Sequence, residues 1–203
     1  MAELTDALNE MLAGRTGQIS RRIGADEDHT RVAVESAIPA LMAALSGEAE
    51  EPGLRTALQQ DHDGTIIDQL SEYLDGSSTL SPRTTNGAGI LDHVLGDRQD
   101  EMARALSAKS GLDLGSIMQL LPLLAPILMG MLGRKTGGSS GGFGLDDLGS
   151  ILGGEREDAK RKKPDIGDIL DSFAKPRSGT GSSQGGGGIL DSIGDLLGGD
   201  RSR

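Results

Sequence analysis

Residues 119–135 read QLLPLLAPILMGMLGRK, and this stretch decides the fold class. Over residues 120–132, thirteen in a row carry no polar side chain, and two of these are the prolines Pro122 and Pro126. The uncharged window 114–133 has 20 residues, which is the length that a helix needs to cross a bilayer. The stretch is therefore either a membrane span or the buried central helix of a helical protein.

An internal repeat favours the buried helix. An offset of 83 residues aligns the chain with itself without gaps, and nine of the forty positions 8–47 are identical, Pro39 with Pro122 among them. The earlier copy, ESAIPALMAALSGEA at 35–49, has a polar face, as a helix of a soluble protein does. Pro122 is expected to kink the later helix or to begin a new one. We therefore predict two copies of a unit of two short helices and one long helix, near 4–13, 16–24 and 27–47 and near 88–96, 98–109 and 114–133.

The composition supports an all-α fold and excludes several kinds of chemistry. Aromatic residues make up only 1% of the chain, so its core is built from aliphatic side chains, which favours helices over sheets. Cysteine is absent, which rules out disulfides and thiolate chemistry and is typical of a reducing compartment. The net charge of −11 opposes binding to nucleic acid. We find no export signal and expect a cytoplasmic protein.

The composition changes near residue 136. Glycine supplies 18 of the 67 residues in 137–203, so we predict a folded domain over 1–136 followed by a flexible, mostly disordered tail. Three short amphipathic motifs interrupt the tail, at 145–152, 166–173 and 189–197. Each is too short to be a stable helix alone, but each could dock into a groove on its own domain or on a neighbouring copy. The sequence GILD at 188–191 repeats GILD at 89–92, so we expect the motifs to use the kind of groove that helix 89–96 occupies.

The most site-like cluster is DHDG at 61–64. His62 between Asp61 and Asp63 could bind a metal, although the spacing is not that of a calcium loop. The alternative, which we favour, is that Asp63 and Gly64 form a turn that caps the next helix. The two other histidines, His29 and His93, are expected to be surface or packed side chains, since the three histidines have no zinc-ligand spacing.

Four longer stretches resemble a known family. They are AIPALMAAL at 37–45, QQDHDGTIIDQL at 59–70, GAGILDHVLGDRQDEMARALSAKSGL at 87–112 and IMQLLPLLAPILMGMLG at 117–133. Together they resemble the bacterial DUF937 family, which is sometimes grouped with YidB-like proteins, over about residues 4–135. The resemblance implies an all-helical domain of unknown function, often with a Gly/Leu-rich tail. It implies no catalytic residue.

The sequence thus predicts a single all-α domain with two pseudo-repeats and a Gly-rich tail. We assign no catalytic, cofactor-binding or metal-binding residue and expect no enzyme activity. The expected function is an interaction or assembly module that binds a protein partner or self-associates through the tail motifs. The alternative is a membrane- or envelope-associated helical protein anchored by residues 114–133 or by the tail motifs.

Overall fold

The computed structural model describes residues 3–137 and 148–175. Within these residues the chain is all-α, as predicted, and has no strand. The helices are α1 (Glu3–Ala13), α2 (Thr16–Ile23), α3 (Glu27–Gly47), α4 (Pro52–Gln60), α5 (Thr65–Asp68), α6 (Leu70–Asp75), α7 (Gly87–Val94), α8 (Gln99–Ser110), α9 (Leu114–Gly137), α10 (Leu148–Lys162) and α11 (Gly167–Phe173). Short 3₁₀ turns cover Gly96–Arg98 and Pro164–Ile166.

The opening stretch forms the central part of α9, which lies in the core among α3, α4, α5, α7 and α8. Six of its apolar side chains are each at most 1% exposed: Leu120, Leu121, Leu124, Ile127, Leu128 and Leu132. In the described part of the chain, only the helix Leu114–Thr136 is long and apolar enough to cross a membrane, and most of its apolar window is buried inside the protein. Two apolar side chains near its start, Leu114 at 41% and Met118 at 39%, are exposed.

Both long helices contain prolines without being interrupted by them. Pro39 lies inside α3, and Pro122 and Pro126 lie inside α9, so the prediction that Pro122 could begin a new helix is wrong. A proline lacks the N–H that bonds to the carbonyl four residues earlier. Pro39 therefore leaves the Glu35 carbonyl without its helical donor, and Pro126 does the same to the carbonyl of Pro122.

Each of the two long helices begins after an aspartate that caps its first turn. The Asp26 carboxylate accepts a hydrogen bond from the His29 backbone N–H at 3.0 Å, and Asp113 accepts one from Ser116 at 2.9 Å. These bonds satisfy amides that have no partner within the first helical turn. The Ser116 hydroxyl and backbone N–H together hold the pKa of Asp113 below its ordinary value.

The order of two short helices and one long helix occurs in α1–α2–α3 and again in α7–α8–α9. Helix α7 lies so close to α9 that a Cβ atom on Gly87 would come within 1.7 Å of the Pro122 carbonyl oxygen. The next carbonyl of α9, that of Leu123, accepts a hydrogen bond from the Tyr73 hydroxyl at 3.2 Å. Close backbone approaches thus hold α9 in place.

Candidate functional site

The structure differs from the sequence prediction in the region that follows α9. We predicted a mostly disordered tail from residue 137, but residues 148–175 form α10 and α11, which lie along α3 and also contact α1 and α8. We call residues 148–175 the docking segment and the surface of α1, α3 and α8 beneath it the docking groove. The apolar side chains of the docking segment that enter the groove are each at most 5% exposed: Leu148, Leu152, Ala159, Ile166, Leu170 and Phe173.

This difference has a physical reason. The predicted motif 166–173 is too short to be a stable helix alone, but the burial of its apolar face stabilises it as α11. Residues 148–152 of the first motif are helical for the same reason, within the longer α10. The rest of that motif and the third motif, 189–197, lie outside the described residues.

Glu155 of the docking segment caps the start of α1. Its two carboxylate oxygens accept hydrogen bonds from the backbone N–H groups of Leu4 and Thr5, both at 3.0 Å. Glu155 is 5% exposed, so its charge is buried at the end of α1 where the helix dipole is positive. The first turn of α1 therefore receives the acceptor that its own sequence does not supply.

Lys163 makes a second polar contact, this time with α3. Its Nζ donates to the Glu35 carbonyl at 3.3 Å and to the Glu35 carboxylate at 3.0 Å. This carbonyl is the one that Pro39 deprives of its helical donor. The proline inside α3 thus provides an acceptor for the docking segment, and the same glutamate provides a matching charge.

The C-terminal end of the docking segment meets Arg98. The guanidinium lies 5.6 Å from the centre of the Phe173 ring, a geometry that attracts a cation to an aromatic face. Arg98 also donates to the carbonyls of Ser172 and Lys175, both at 3.4 Å. The Lys175 carbonyl lies 3.0 Å from the position of a Cβ on Gly47, so the backbone of the segment reaches the end of α3.

Further ion pairs join the docking segment to the domain at the surface. Lys162 pairs with Asp6, and Asp165 pairs with Lys109. Exposed pairs of this kind contribute little to stability, because solvent screens their charges. They give the segment and the groove complementary charges more than they stabilise the fold.

The structure also shows the surroundings of the DHDG cluster at residues 61–64. Asp63 accepts hydrogen bonds from the N–H and the hydroxyl of Thr65 at 2.9 and 2.6 Å, which lower the pKa of the Asp63 carboxyl. Gly64 has a φ of 97°, in the left-handed region. The favoured prediction is therefore confirmed, since Asp63 and Gly64 form the turn before α5.

His62, beside this turn, is only 3% exposed. It lines a cleft of about 320 Å³ together with Asp61, Arg83, Asn86 and His93. Burial is the largest influence on the imidazole and lowers the pKa of His62 below 6.5, although the carboxylates of Asp61 and Asp63 act in the opposite direction. Within the described part of the chain, the Nδ1 atom of His62 has no hydrogen-bond partner.

The convergence of His62 and His93 was not predicted, because 31 positions separate them and the sequence holds no signal that links them. The two histidines do not form part of a metal centre. Among the described residues, no three His, Cys, Asp or Glu side chains are arranged to hold an ion. The third histidine, His29, is a surface residue near Asp26, as expected.

Comparison with known proteins agrees with the architecture. The family model described as DUF937, bacterial protein of unknown function, matches residues 6–135. No curated protein matches the chain, and no solved structure matches it. The docking segment lies beyond the matched residues. Because the match extends over more than half of the sequence and covers α2 to α8 with most of α1 and α9, the chain belongs to the bacterial DUF937 family.

Proposed function

We propose that this protein is a non-enzymatic interaction and assembly module. Its docking groove is filled by its own docking segment, and copies of the chain associate by exchanging that segment. The observation that carries the proposal is that α10 and α11 make three kinds of contact with the domain. They bury an apolar face against α3, Glu155 caps α1, and Lys163 donates to the Glu35 carbonyl in α3 that lacks a helical donor because of Pro39. A groove that offers an apolar surface, an uncapped helix start and a free carbonyl to the same pair of helices is suited to a helical ligand.

The connection between domain and segment supports exchange. Ten residues, 138–147, join α9 to α10, and their sequence is rich in glycine and serine. Such a connection spans at most roughly 36 Å. Exchange of an identical element between copies forms the same contacts in trans that the monomer forms in cis. Tethering gives the segment an effective concentration of the order of millimolar, so we expect exchange to rise with protein concentration.

The proposal is tested by measuring the mass of the full chain by light scattering over a wide range of concentrations. We expect a dimer fraction that increases with concentration in the wild type. A Leu170→Asp variant should lose its docked segment and with it the dimer, because Leu170 is fully buried. Ser172→Asp is the matched control, since it adds the same charge to an exposed position of the same helix.

Exchange can be separated from any other association by mixing. The chain has no native cysteine, so single cysteines can be placed in the groove of one copy and in the docking segment of another. Cross-links between differently tagged copies should form in the wild type and in Ser172→Asp, but not in Leu170→Asp. A wild-type chain that is monomeric at every concentration, or a dimer that Leu170→Asp leaves intact, would refute the proposal.

The alternative, membrane association, rests on the length and apolar composition of α9. It requires α9 to leave a core in which Leu124 is 1% exposed, and this favours the interaction module. Flotation with vesicles that contain anionic lipids distinguishes the two. We expect the full chain to stay in the bottom fraction, and co-flotation that survives a high-salt wash would instead support the membrane alternative.

Nucleic acid is not a proposed partner, because a chain with a net charge of −11 offers few phosphate contacts. A gel shift at low salt should be negative. We place the interaction module in the cytoplasm, and fractionation of cells would check this.

A further inference from the structure

One five-residue pattern occurs three times in the chain. It reads ILDHV at 90–94, ILDSF at 169–173 and ILDSI at 189–193. Each copy is Ile-Leu-Asp, any residue, and then an apolar residue. The second and third copies share four of their five residues and lie 20 positions apart.

The two copies in the described part of the chain use the same positions for packing. The leucine and the final apolar residue are buried in both, with Leu91 and Val94 each 2% exposed, Leu170 0% and Phe173 2%. The aspartate between them is exposed in both copies. The leucine and the final apolar residue are three positions apart, so they lie on the same face of a helix.

Both copies lie on a long helix that contains proline. Helix α7 packs on α9, and α11 packs on α3. Gly87, at the start of α7, meets the Pro122 carbonyl, and Val94, at its end, lies near Leu128. The short helix therefore follows the direction of α9.

Helix α11 follows α3 in the same way. Lys163, just before it, contacts Glu35, and Lys175, just after it, reaches Gly47. Each short helix thus runs parallel to its long helix. In both copies, the pattern forms a short helix that packs along a long helix that contains proline.

We propose that the third copy, residues 189–197, is a second ligand for the docking groove on α3 and competes there with α11. The proposal deepens the proposed function, because it assigns the same groove a second occupant. When residues 189–197 fill the groove, α11 is displaced and becomes available to the groove of a neighbouring copy. One chain then carries two ligands for a single α3 groove, and their balance controls exchange.

The contacts of α11 indicate which interactions the third copy can reproduce. Leu190 replaces Leu170, the fully buried side chain. Asp191 replaces Asp171, whose carboxylate accepts from the Lys160 Nζ at 2.7 and 2.8 Å. Leu190 carries over the central apolar contact with the groove. Asp191 carries over the ion pair only while α10, which contains Lys160, stays docked.

Other contacts differ between the two ligands. Ile193 replaces Phe173 and loses the contact between the aromatic ring and Arg98, which weakens binding by about threefold. The pair Leu196 and Leu197 continues the apolar face beyond Ile193, at helical spacing. We therefore expect a ligand somewhat weaker than α11.

A binding measurement tests the proposal with full-length chains. The ligand is a fluorescently labelled synthetic peptide of residues 186–199. The first receptor is the full chain with Leu190→Asp, in which α11 still fills the groove. The second receptor carries Leu170→Asp as well, so that neither of its own motifs competes. We expect the second receptor to bind the peptide about tenfold more tightly, because the groove is open.

Two control peptides separate this inference from the proposed function. The 186–199 peptide with Leu190→Asp should bind at least about tenfold more weakly, because it places a charge in the apolar contact. A peptide of residues 164–176 should bind the second receptor with an affinity similar to or slightly higher than that of 186–199. If 164–176 binds and 186–199 does not, this inference is refuted and the proposed function stands. If neither peptide binds, this inference is refuted, and the light-scattering and cross-linking measurements on the full chain decide the proposed function.

A measurement on the wild-type chain avoids any effect of the substitutions on folding. Excess 186–199 peptide should displace α11, so the backbone amides of Leu170 and Phe173 should exchange with deuterium faster. The amides of α7 should be unaffected, because that helix lies on α9. Unchanged exchange in α11 at a saturating concentration of the peptide would overturn the proposal.

Discussion

Replacing Gly133 with alanine is the sharpest test of how α9 is held in the core. Gly133 lies inside α9, where a Cβ would come within 1.6 Å of the His62 carbonyl oxygen and 2.8 Å of its carbonyl carbon. Both atoms belong to the backbone, so no side-chain rotation relieves the clash. The residues before α5 must move away from α9 by more than an ångström, since a carbon–oxygen contact needs about 3.3 Å.

The magnitude follows from two opposing effects. Overpacking in a well-packed region costs about 1–3 kcal/mol, and a backbone clash belongs at the upper end. Alanine has a higher helix propensity than glycine, which returns up to about 1 kcal/mol. The net loss is about 2 kcal/mol in the free energy of unfolding. For a folded region of this size that corresponds to a fall in Tm of roughly 4–8 °C.

Chemical denaturation in urea and thermal unfolding followed by circular dichroism measure this loss. The matched control is Gly154→Ala in α10, where a Cβ would meet nothing within 4 Å. That substitution should stabilise α10 by up to about 1 kcal/mol. A Gly133→Ala chain as stable as the wild type would show that His62 does not lie against α9 as described.

Three further predictions concern charge, pH and capping. Leu124→Asp should prevent the domain from folding, because Leu124 is 1% exposed and an unpaired buried carboxylate costs several kcal/mol; the loss of helical circular dichroism would show it. Stability should fall as the pH drops below about 6.5, because burial keeps the pKa of folded His62 below that value and the unfolded chain is protonated first; urea titrations at several pH values should show a weaker dependence in His62→Gln. Glu155→Ala should cost about 1–3 kcal/mol through the uncapped start of α1, and deuterium exchange at the Leu4 and Thr5 amides should accelerate while that at α9 stays unchanged.

Much of the fold could be predicted because its signals are local. The apolar run over residues 120–132 predicts a buried helix, and the polar face of its earlier counterpart argues that the environment is a protein core. Asp26 and Asp113 mark the starts of the long helices, since a cap depends only on residues within one turn. Asp63 and Gly64 mark a turn for a similar reason.

The cleft at His62 could not be predicted, because it depends on distant parts of the chain. His62 follows α4, His93 lies in α7, and Arg83 belongs to the loop between α6 and α7. No periodicity or spacing links these residues. Only the packing of α4 and α7 beside α9 brings them to one cleft.

The docking segment shows how composition can mislead. Its glycines and its charged run at 155–163 are typical of a disordered tail. Those charges have partners elsewhere, however, because Glu155 caps α1 and Lys163 reaches a carbonyl that Pro39 exposes. Such a segment is ordered by its contacts with the groove, because its helices are too short to be stable alone. A tail of this composition is therefore a candidate ligand wherever the domain beside it contains an uncapped helix start or a proline inside a helix.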